Sequence, residues 1–399
     1  MENQYLPLSG VRVVDLTTTV FGPYTTQILG DFGADVIKIE SINGDTLRYV
    51  GPARSKGMGA LFLGFNRNKR SVVLDLKEPL QRRALSKIIE SADILVHNMR
   101  PGKIDKIGFD PETVRKLNPK LVFASLHGYG ESGPYATRPA YDDVIQGESG
   151  GAALFEARDG SPAFVPSVIV DKGAANIAAN GILGAYISRL RTGMGGYVEI
   201  PMFEAMVSFH FAEHQYGHVF DPPEAGLGYP RTLSKFRRPY KTADGYLCVL
   251  AYTDKQWQNF WTLTSSPECV QDPRFATMAA RSKNINELYE IVGFELSKKP
   301  NAFWLTELNA NGIPVGAVNG LEAVKNDPHI RSVELFKPIE HSSQGHLTLC
   351  GSPIRFNKMP NPIQKEPPCL GAHTDEVLAE CGLSAEDLAA IRAKQRDAS

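Results

Sequence analysis

The first forty residues carry the pattern that most limits the possible folds: two short apolar runs separated by a stretch with helical spacing. Residues 11–16 (VRVVDL) predict a strand, residues 24–32 a helix, and residues 34–39 (ADVIKI) a second strand. Pro23 stands at the start of this helix and Gly33 directly after it, which are the positions that proline and glycine prefer. Two strands joined in this way form a βαβ unit, in which the strands are parallel.

The same alternation continues far along the chain. Further strands are predicted at residues 71–76, 93–97 and 121–126, and helices at residues 79–91 and 110–117. A long Ala-, Gly- and Ile-rich segment, residues 170–191, predicts a buried helix, and residues 197–200 predict the strand that follows it. Repeated alternation of this kind predicts an α/β fold, with a large domain built on a doubly wound, Rossmann-like and mostly parallel sheet.

The regular alternation stops near residue 221, where proline, glycine and then basic residues replace it. A smaller α+β unit is predicted beyond this point, with a hairpin at residues 240–252, helices at 255–265 and 282–297, and a strand at 314–318. After residue 329 the chain is rich in proline, with a short strand at 347–350 and a helix at 385–394. We therefore divide the chain into residues 1–220, the first part of a large domain, residues 221–329, a small domain, and a C-terminal segment, residues 330–399.

Composition excludes several classes of protein. The 399 residues are 42% hydrophobic and 22% charged, values typical of globular proteins and unlike those of disordered or fibrous chains. Lys and Arg total 43 against 44 Asp and Glu, so the net charge of −1 creates no overall field that attracts nucleic acid or a membrane surface. Any site for an anion must therefore be local.

The cysteines and the first residues bear on the cellular compartment. The five cysteines include no C-x-x-C pair, so neither a disulfide framework nor a structural zinc site is indicated. The sequence begins without a basic segment followed by an apolar one, and it has no run of about 18 apolar residues. We therefore expect a cytoplasmic location.

Two basic segments lie beside predicted strands. One is residues 66–70 (NRNKR), and the other is residues 98–102 (NMRPG) followed by Lys103 and Lys106. Arg and Lys side chains make charge-assisted hydrogen bonds to phosphate oxygens, so both segments are candidate contacts for a phosphorylated ligand, with a solvated surface as the alternative. The first loop, residues 17–23, lacks G-x-G-x-x-G, which argues against a dinucleotide-dependent oxidoreductase.

Two further motifs have weaker support. Residues 147–151 (GESGG) match the G-x-S-x-G of serine hydrolases, with Ser149 as nucleophile, but the residues before them do not predict a buried strand, and a Gly-rich turn is the alternative. His210, His214 and His218 recur every four residues, a spacing that places three imidazoles on one helix face. The H-E-x-x-H pattern is absent, so we predict no metal site.

Asp171 is the carboxylate with the most informative position. It follows the apolar residues 164–170 and precedes a segment of small residues at a predicted helix start. A helix N-terminus stabilises an anion, so one interpretation is an N-cap aspartate. The other is a carboxylate nucleophile, exposed in a pocket whose small neighbours let a substrate approach.

These segments, with others that run nearly end to end, resemble the class III CoA-transferases, which include formyl-CoA transferase and carnitine CoA-transferase. The similar stretches are residues 7–15, 22–23, 33–40, 68–71, 98–102, 191–193, 311–314 and 373–376. Their order and spacing carry the resemblance. It implies an interlocked homodimer, in which each chain forms an open ring threaded by the other, and a last segment that returns to the large domain.

The resemblance also implies a reaction. The family nucleophile is an aspartate before a small-residue helix, and its counterpart here is Asp171. It attacks an acyl-CoA thioester to give a mixed anhydride and then an aspartyl-CoA thioester, from which a small carboxylic acid takes the CoA. CoA thioesters are then substrates, with succinyl-CoA and acetyl-CoA as candidate donors, and no cofactor is permanently bound. The residues expected against CoA are Phe21, Leu74, Asn98, Met99, Arg100 and Lys106, with Lys69 and Arg70 as further candidates.

Two departures from the family pattern bear on the substrates and on the type of reaction. Formyl-CoA transferase has a glycine run in its small domain, whereas residues 233–238 are basic here, so we expect a different acceptor. The whole basic loop, residues 231–238, fits either a dicarboxylate or solvent. The α-methylacyl-CoA racemases, which share the fold, have a histidine where this chain has Tyr141, a poor general base at neutral pH. A racemase-like isomerase is thus the alternative function, and a serine hydrolase the second alternative.

Overall fold

The computed structural model describes residues 6–397. The first five residues, on which the expectation about a targeting segment partly rests, lie outside the described residues, as do residues 398 and 399. Within residues 6–397, no helix combines the length and apolar character that a membrane crossing requires.

Strands and helices alternate along the first half of the chain, as predicted. They are β1 (Arg12–Leu16), α1 (Phe21–Asp31), β2 (Asp35–Glu40), α2 (Ala60–Phe65), β3 (Lys69–Val73), α3 (Pro79–Glu90), β4 (Ile94–His97), α4 (Lys103–Lys106), α5 (Pro111–Leu117), β5 (Val122–His127), α6 (Asp142–Glu148), α7 (Gly151–Asp159), α8 (Ile169–Thr192), β6 (Gly196–Pro201) and α9 (Met202–His214).

The second half of the chain contains shorter elements. They are α10 (Pro230–Leu233), β7 (Tyr240–Lys241), β8 (Tyr246–Val249), α11 (Asp254–Thr262), α12 (Met278–Lys283), α13 (Ile285–Leu296), α14 (Asn301–Ala310), β9 (Val315–Ala317), α15 (Leu321–Lys325), α16 (Pro328–Ser332), β10 (Phe336–His341), β11 (Gly345–Cys350), β12 (Arg355–Phe356), β13 (Met359–Pro360), α17 (Thr374–Glu380) and α18 (Ala385–Asp397). Short 3₁₀ helices occur at Thr46–Tyr49, Tyr216–Val219 and Pro267–Val270.

Six strands form one parallel sheet in the order β3-β2-β1-β4-β5-β6. Chain order runs outward in both directions from the β1–β4 pair, which makes the carboxyl ends of these two strands the switch point of a doubly wound sheet. The predicted α/β class with a mostly parallel sheet is confirmed.

Both faces of this sheet are buried, so apolar residues face both sides of its strands, although charged residues such as Asp15 and Lys38 are buried among them. On β1, Val13 belongs to a core with α1 and α8, whereas Val14 belongs to a second core with α3. Successive side chains of a strand point to opposite faces, so a sheet covered by helices on both sides needs apolar residues on both faces of its strands.

The chain forms two compact units. Unit 1 contains the described residues of 1–149, 165–208 and 328–399, and unit 2 contains residues 150–164 and 209–327. The division made from the sequence differs, because it has boundaries at 220 and 329 and gives no earlier residues to the small domain. Residues 150–164, which contain helix α7, lie within the range that the sequence division assigned to the large domain, and their pattern was not interpreted as a change of domain.

Unit 2 is built around aromatic side chains. Trp257, Phe260, Trp261 and Trp304 are buried in one core, beside the antiparallel sheet β7-β8-β9. The predicted hairpin is present as β7 and β8, and the strand predicted at 314–318 is β9. The single helix expected over 282–297 is two helices, which meet at Asn284.

The last segment belongs to unit 1. Val377 and Leu378 of α17 are fully buried in the same core as α3, and Thr374 accepts a hydrogen bond from Val73 N, 3.1 Å long, at the end of β3. These contacts join positions about three hundred residues apart and complete one face of the large sheet.

Candidate active site

A cavity of about 350 Å³ opens at the switch point of the large sheet. It is lined by residues that follow the carboxyl ends of β1, β4 and β5, together with the first turn of α8. The lining includes Thr18, Phe21, Asn98, Met99, Arg100, Lys103, His127, Gly128, Arg138, Tyr141 and Asp171. All of these residues belong to unit 1.

The loops after β1 and β4 are held together by one side chain. Asn98 donates from Nδ2 to the Thr18 carbonyl oxygen at 2.8 Å, and its Oδ1 accepts from Thr18 N at 3.0 Å. Below this contact, buried Asp15 accepts from both the backbone and the hydroxyl of Thr17. The reciprocal amide contact fixes the distance between the two loops, so the cavity keeps its shape across the switch point.

Asp171 lies in the first turn of α8, whose N-cap residue is Val168. The interpretation of Asp171 as an N-cap residue is therefore wrong: its side chain lines the cavity, while its backbone N–H donates to Asp142 Oδ1 at 2.9 Å. Burial, and next the carboxylate of Asp142, raise the pKa of Asp171 from 3.8 to about 7. A carboxylate with so high a pKa is more basic, and hence a better nucleophile, than an ordinary aspartate.

Four of the predicted CoA contacts lie together with Asp171 in this cavity: Phe21, Asn98, Met99 and Arg100. Arg100 and Lys103 place two cations on one wall, and both belong to the basic segment noted in the sequence. The cavity thus combines a carboxylate of raised pKa, an apolar wall and cationic side chains.

The chain matches CoA-transferase family III over residues 8–374. It is 30% identical to a protein of Mycobacterium tuberculosis named as a probable fatty acyl-CoA transferase, covering 94% of this chain and 98% of that one. The mouse succinyl-CoA:glutarate CoA-transferase is 30% identical, with coverages of 94% and 86%, and a formyl-CoA:oxalate CoA-transferase of Streptomyces coelicolor is 32% identical, with coverages of 96% and 98%.

Solved structures agree with these relatives. A crystal structure of the mycobacterial protein superimposes with a TM-score of 0.82 at 29% identity and covers 94% of this chain and 99% of that one. A CAIB/BAIF family protein of Brucella suis gives a TM-score of 0.78 at 30% identity, with coverages of 95% and 100%. The chain belongs to CoA-transferase family III. The resemblance seen in the sequence is confirmed, and the class III transferase is an enzyme of acyl-CoA chemistry.

Two other predicted CoA contacts of the transferase are placed elsewhere. Leu74 follows β3 and is buried in the core beside α3, and it does not line the cavity. Lys106 is exposed at the end of α4, one turn beyond Lys103, and also lies outside the cavity lining. Lys103 was named with this basic segment as a candidate phosphate contact but was not among the residues expected against CoA.

Lys69 has a structural role in the transferase, which corrects its expected position in a phosphate-binding loop. It begins strand β3 and is 1% exposed. Its ammonium group pairs with Asp15 at 3.0 Å and donates to the carbonyl of Pro23 and to Asn66, each at 2.9 Å. Burial lowers its pKa to about 8, and the three partners leave the cation no free face for a phosphate.

Arg70 is also engaged elsewhere. Its guanidinium contacts Asp35 and, at 2.8 and 3.0 Å, the carboxylates of Glu380 and Glu376 on α17. These hydrogen-bonded acids raise the pKa of Arg70 against the opposing effect of its burial. Arg70 therefore attaches the C-terminal segment to β3 and is not available to a phosphate.

The residues of the serine-hydrolase motif do not have the geometry of a nucleophile elbow. Ser149 is 4% exposed at the end of α6, and its hydroxyl donates to the carbonyl of Ile145 at 2.6 Å. The segment joins two helices, whereas a nucleophile elbow needs a strand before the serine.

The histidine repeat is split between two elements in the transferase. His210 and His214 belong to α9, and His218 lies in the following 3₁₀ helix. His214 accepts from Tyr229 N at 3.2 Å. Over residues 6–397, no three His, Cys, Asp or Glu side chains are grouped as metal ligands.

The basic loop of unit 2 is partly engaged within that unit. Arg231 donates to the hydroxyl of Tyr289 at 2.8 Å, and Arg238 contacts Asp159 and the carbonyl of Lys235. Arg237 lines a second cavity of about 450 Å³ with Tyr240. Arg231 and Arg238 are thus occupied by contacts within unit 2.

Sequence analysis named Tyr141 from the segment after β5 but missed His127 and Arg138. His127 ends β5 and lies 2.9 Å from a carboxylate oxygen of Glu131, and Arg138 is paired with Glu148 and stacked over Tyr135. Both His127 and Arg138 line the cavity. The available signal was their position at and after the carboxyl end of β5, the strand that pairs with β4 beside the switch point.

Proposed function

We propose that this transferase moves CoA from an acyl-CoA to a small carboxylic acid, with Asp171 as the covalent nucleophile. The observation that carries the proposal is the placement of Asp171 in the switch-point cavity, at a raised pKa, beside the cations Arg100 and Lys103. CoA is a polyanion, and a chain of net charge −1 must bind it through such local cations. Phe21, Asn98 and Met99 form the neighbouring wall against which we place the thioester end.

The proposed reaction has two matched halves. A carboxylate oxygen of Asp171 attacks the thioester carbonyl carbon, the carbon–sulfur bond breaks, and the thiolate of CoA leaves behind a mixed anhydride. The thiolate then attacks the carbonyl carbon of Asp171, which releases the donor acid and forms an aspartyl-CoA thioester. The acceptor carboxylate repeats these steps in reverse order, so CoA ends on the new acid and Asp171 is regenerated.

We further propose that the acceptor is a dicarboxylic acid and that succinyl-CoA is a donor, with acetyl-CoA as the second candidate. Two relatives support this choice by name, since one acts on succinyl-CoA and glutarate and another on formyl-CoA and oxalate. A third cation in the cavity, Arg138, is held by Glu148 and by the ring of Tyr135, which makes it a preorganised partner for a second carboxylate. The interlocked homodimer expected from the family belongs to the same proposal.

Replacement of Asp171 tests the nucleophile. Asp171→Ala should abolish transfer from succinyl-CoA to glutarate, and hydroxylamine or borohydride added during turnover should modify Asp171 in the wild type, as read by peptide mass. Asp143→Ala is the matched control, because Asp143 is an exposed carboxylate nearby on α6 and should retain full activity. Ser149→Ala should also keep transfer activity. An active Asp171→Ala variant, or a label on another residue, would disprove the assignment.

One observation favours the isomerase alternative. His127 lines the same cavity as Asp171, so an imidazole and a carboxylate are both available for proton transfer at the carbon next to a thioester. Exchange of that proton in deuterated water, measured on a 2-methylacyl-CoA without any acceptor acid, distinguishes the two functions. A transferase gives no exchange under these conditions, and rapid exchange would favour the isomerase.

A further inference from the structure

Asp142 is a buried carboxylate without a cationic partner. It is 6% exposed at the start of α6, and no basic side chain of the described residues forms an ion pair with it. Removing an ionised carboxylate from water is costly unless hydrogen bonds or a counter-charge compensate. Its burial beside the nucleophile therefore needs an explanation.

Two hydrogen-bond donors account for its ionised form. Oδ1 accepts from the backbone N–H of Asp171 at 2.9 Å, and Oδ2 accepts from Gln146 Nε2 at 2.7 Å. Gln146 is itself fixed, because it is buried and its Oε1 accepts from Val165 N at 2.9 Å. A protonated acid would need an acceptor for its O–H, whereas both oxygens of Asp142 face donors.

The same contacts fix the position of the nucleophile. Val168, the N-cap residue of α8, has no side-chain hydrogen bond to the helix, and Asp142 supplies from another helix the acceptor that a capping side chain would provide. The backbone of Asp171 is therefore tied to α6 through Asp142 and Gln146, and its side chain enters the cavity from a fixed point.

We propose that Asp142, oriented by Gln146, is a positioning residue that favours acylation of Asp171 by placing a permanent negative charge beside it. This inference rests on the proposed covalent function. As a free carboxylate, Asp171 is repelled by Asp142, but as an anhydride or a thioester Asp171 is neutral and the repulsion is gone. The charge thus raises the free energy of the resting carboxylate relative to each covalent intermediate and increases the basicity of the attacking oxygen.

Other charged groups that face Asp171 are unchanged in the variants proposed below. The ionisable residues that share its cavity are Arg100, Lys103, His127, Arg138 and Tyr141. On its own helix, Lys172 donates to Ser167 Oγ at 2.6 Å. Because these groups stay the same, a change in the pH profile of activity after substitution of Asp142 results from the loss of the Asp142 side chain.

Two variants separate the charge from the hydrogen bonds. Asp142→Asn removes the charge, but the new amide N–H group then faces the N–H group of Gln146, so two donors meet without an acceptor. In Asp142→Asn/Gln146→Glu, the amide at position 142 donates to the new carboxylate at position 146, which also accepts from Val165 N. The hydrogen bonds are therefore rebuilt, but the negative charge lies one side chain farther from Asp171. Asp143→Asn, which neutralises the exposed neighbour on the same helix, is the matched control.

The measurements are the pH profile of kcat/KM for succinyl-CoA and the single-turnover rate of adduct formation on Asp171 by mass. In Asp142→Asn the rising limb should move to lower pH by about half a unit or more, and adduct formation at pH 8 should slow about tenfold, with KM changed less than about twofold. The double variant should recover thermal stability while its rising limb stays below that of the wild type, and it serves as the test if the single variant does not fold.

The outcomes are distinct. An unchanged pH profile and adduct rate in a folded Asp142→Asn enzyme would overturn the positioning role. So would full recovery of the wild-type profile in the double variant, because hydrogen bonding alone would then account for Asp142. Absence of any adduct on Asp171 in the wild type refutes the proposed nucleophile itself, a result that these variants do not produce.

Discussion

At the residue scale, Asp171, the proposed nucleophile, has a carboxyl group whose burial lowers stability. Its carboxyl has a pKa raised from 3.8 to about 7 by burial and by Asp142, so the folded chain holds this proton more tightly than the unfolded chain does. The contribution to stability therefore falls as pH rises from about 4 to about 7. The folded environment thus disfavours the ionised carboxylate that the proposed reaction requires.

Asp171→Asn should remove this pH-dependent loss. The difference in free energy of unfolding between variant and wild type should grow in favour of the variant between pH 4 and pH 8, because asparagine has no proton to lose. Urea unfolding at several pH values measures this difference, with Asp143→Asn as the control, because it removes an exposed carboxylate on α6 that does not line the cavity. A constant difference for Asp171→Asn would show that its pKa is ordinary.

The sequence identified Asp171 but not Asp142. Asp171 follows an apolar stretch and begins a small-residue helix, a local pattern that also matches the family. Asp142 acts through a hydrogen bond to a residue 29 positions away, and two acids at a helix start are unremarkable in a sequence. A local pattern in the sequence indicates the proposed nucleophile, whereas the contact of Asp142 with Asp171 depends on the packing of α6 against α8.

At the element scale, strands were predicted well where they are apolar and less well where they carry buried charge. The strand predicted at residues 71–76 begins at Lys69, because Lys69 and Arg70 look like loop residues until their carboxylate partners are known. Asp15 comes from β1 and Asp35 from β2, so only the folded sheet brings the charges together. Because of these ion pairs, Lys69 and Arg70 do not line the candidate site.

The segment after β4 carries the prediction for CoA binding. Arg100→Ala and Lys103→Ala should each raise KM for acyl-CoA about tenfold or more, because each loses a charge-assisted hydrogen bond worth roughly 1.5–3 kcal/mol. KM for the acceptor acid should change less. Steady-state kinetics with varied succinyl-CoA provide the measurement.

Lys116→Ala is the control for these two variants. Lys116 is an exposed cation on α5 that pairs with Glu112 at 3.3 Å, outside the cavity lining, and its removal should leave KM unchanged. Lys106→Ala asks whether the phosphate contacts extend beyond the cavity, as the family resemblance implies. Unaltered KM in both Arg100→Ala and Lys103→Ala would move the CoA phosphates away from this segment.

At the scale of the whole molecule, chain order and spatial order differ most at the end of the sequence. Residues 328–397 return to unit 1, although the periodic pattern near them is weak and rich in proline. The separate piece at residues 150–164 shows the same difference in the opposite direction, since it belongs to unit 2 although the residues on both sides of it belong to unit 1. A shift in composition shows where the pattern of helices and strands changes. The unit to which a segment belongs is decided by its long-range contacts.

Two truncations test how much unit 1 depends on this return. A chain that ends after Cys369 loses α17, with the fully buried Val377 and Leu378 and two carboxylates that pair with Arg70. Burial of each such side chain contributes roughly 1.5–3 kcal/mol, and Arg70 would be left with fewer partners in a nearly buried position. These losses are comparable to the whole stability of a domain, so this chain should not give a cooperative thermal transition for unit 1.

A chain that ends after Ser384 is the matched control, because it keeps α17 and the pairs of Arg70 but loses α18, of which Ile391 is the buried residue described. It should remain folded with a lower melting temperature, as followed by circular dichroism, and should still form the adduct on Asp171. The family match ends at residue 374, so equal stability of the two truncated chains would mean that the segment after this point is an addition to a sheet already complete. Unfolding of the shorter chain alone would instead show that α17 is part of the fold that holds the active site.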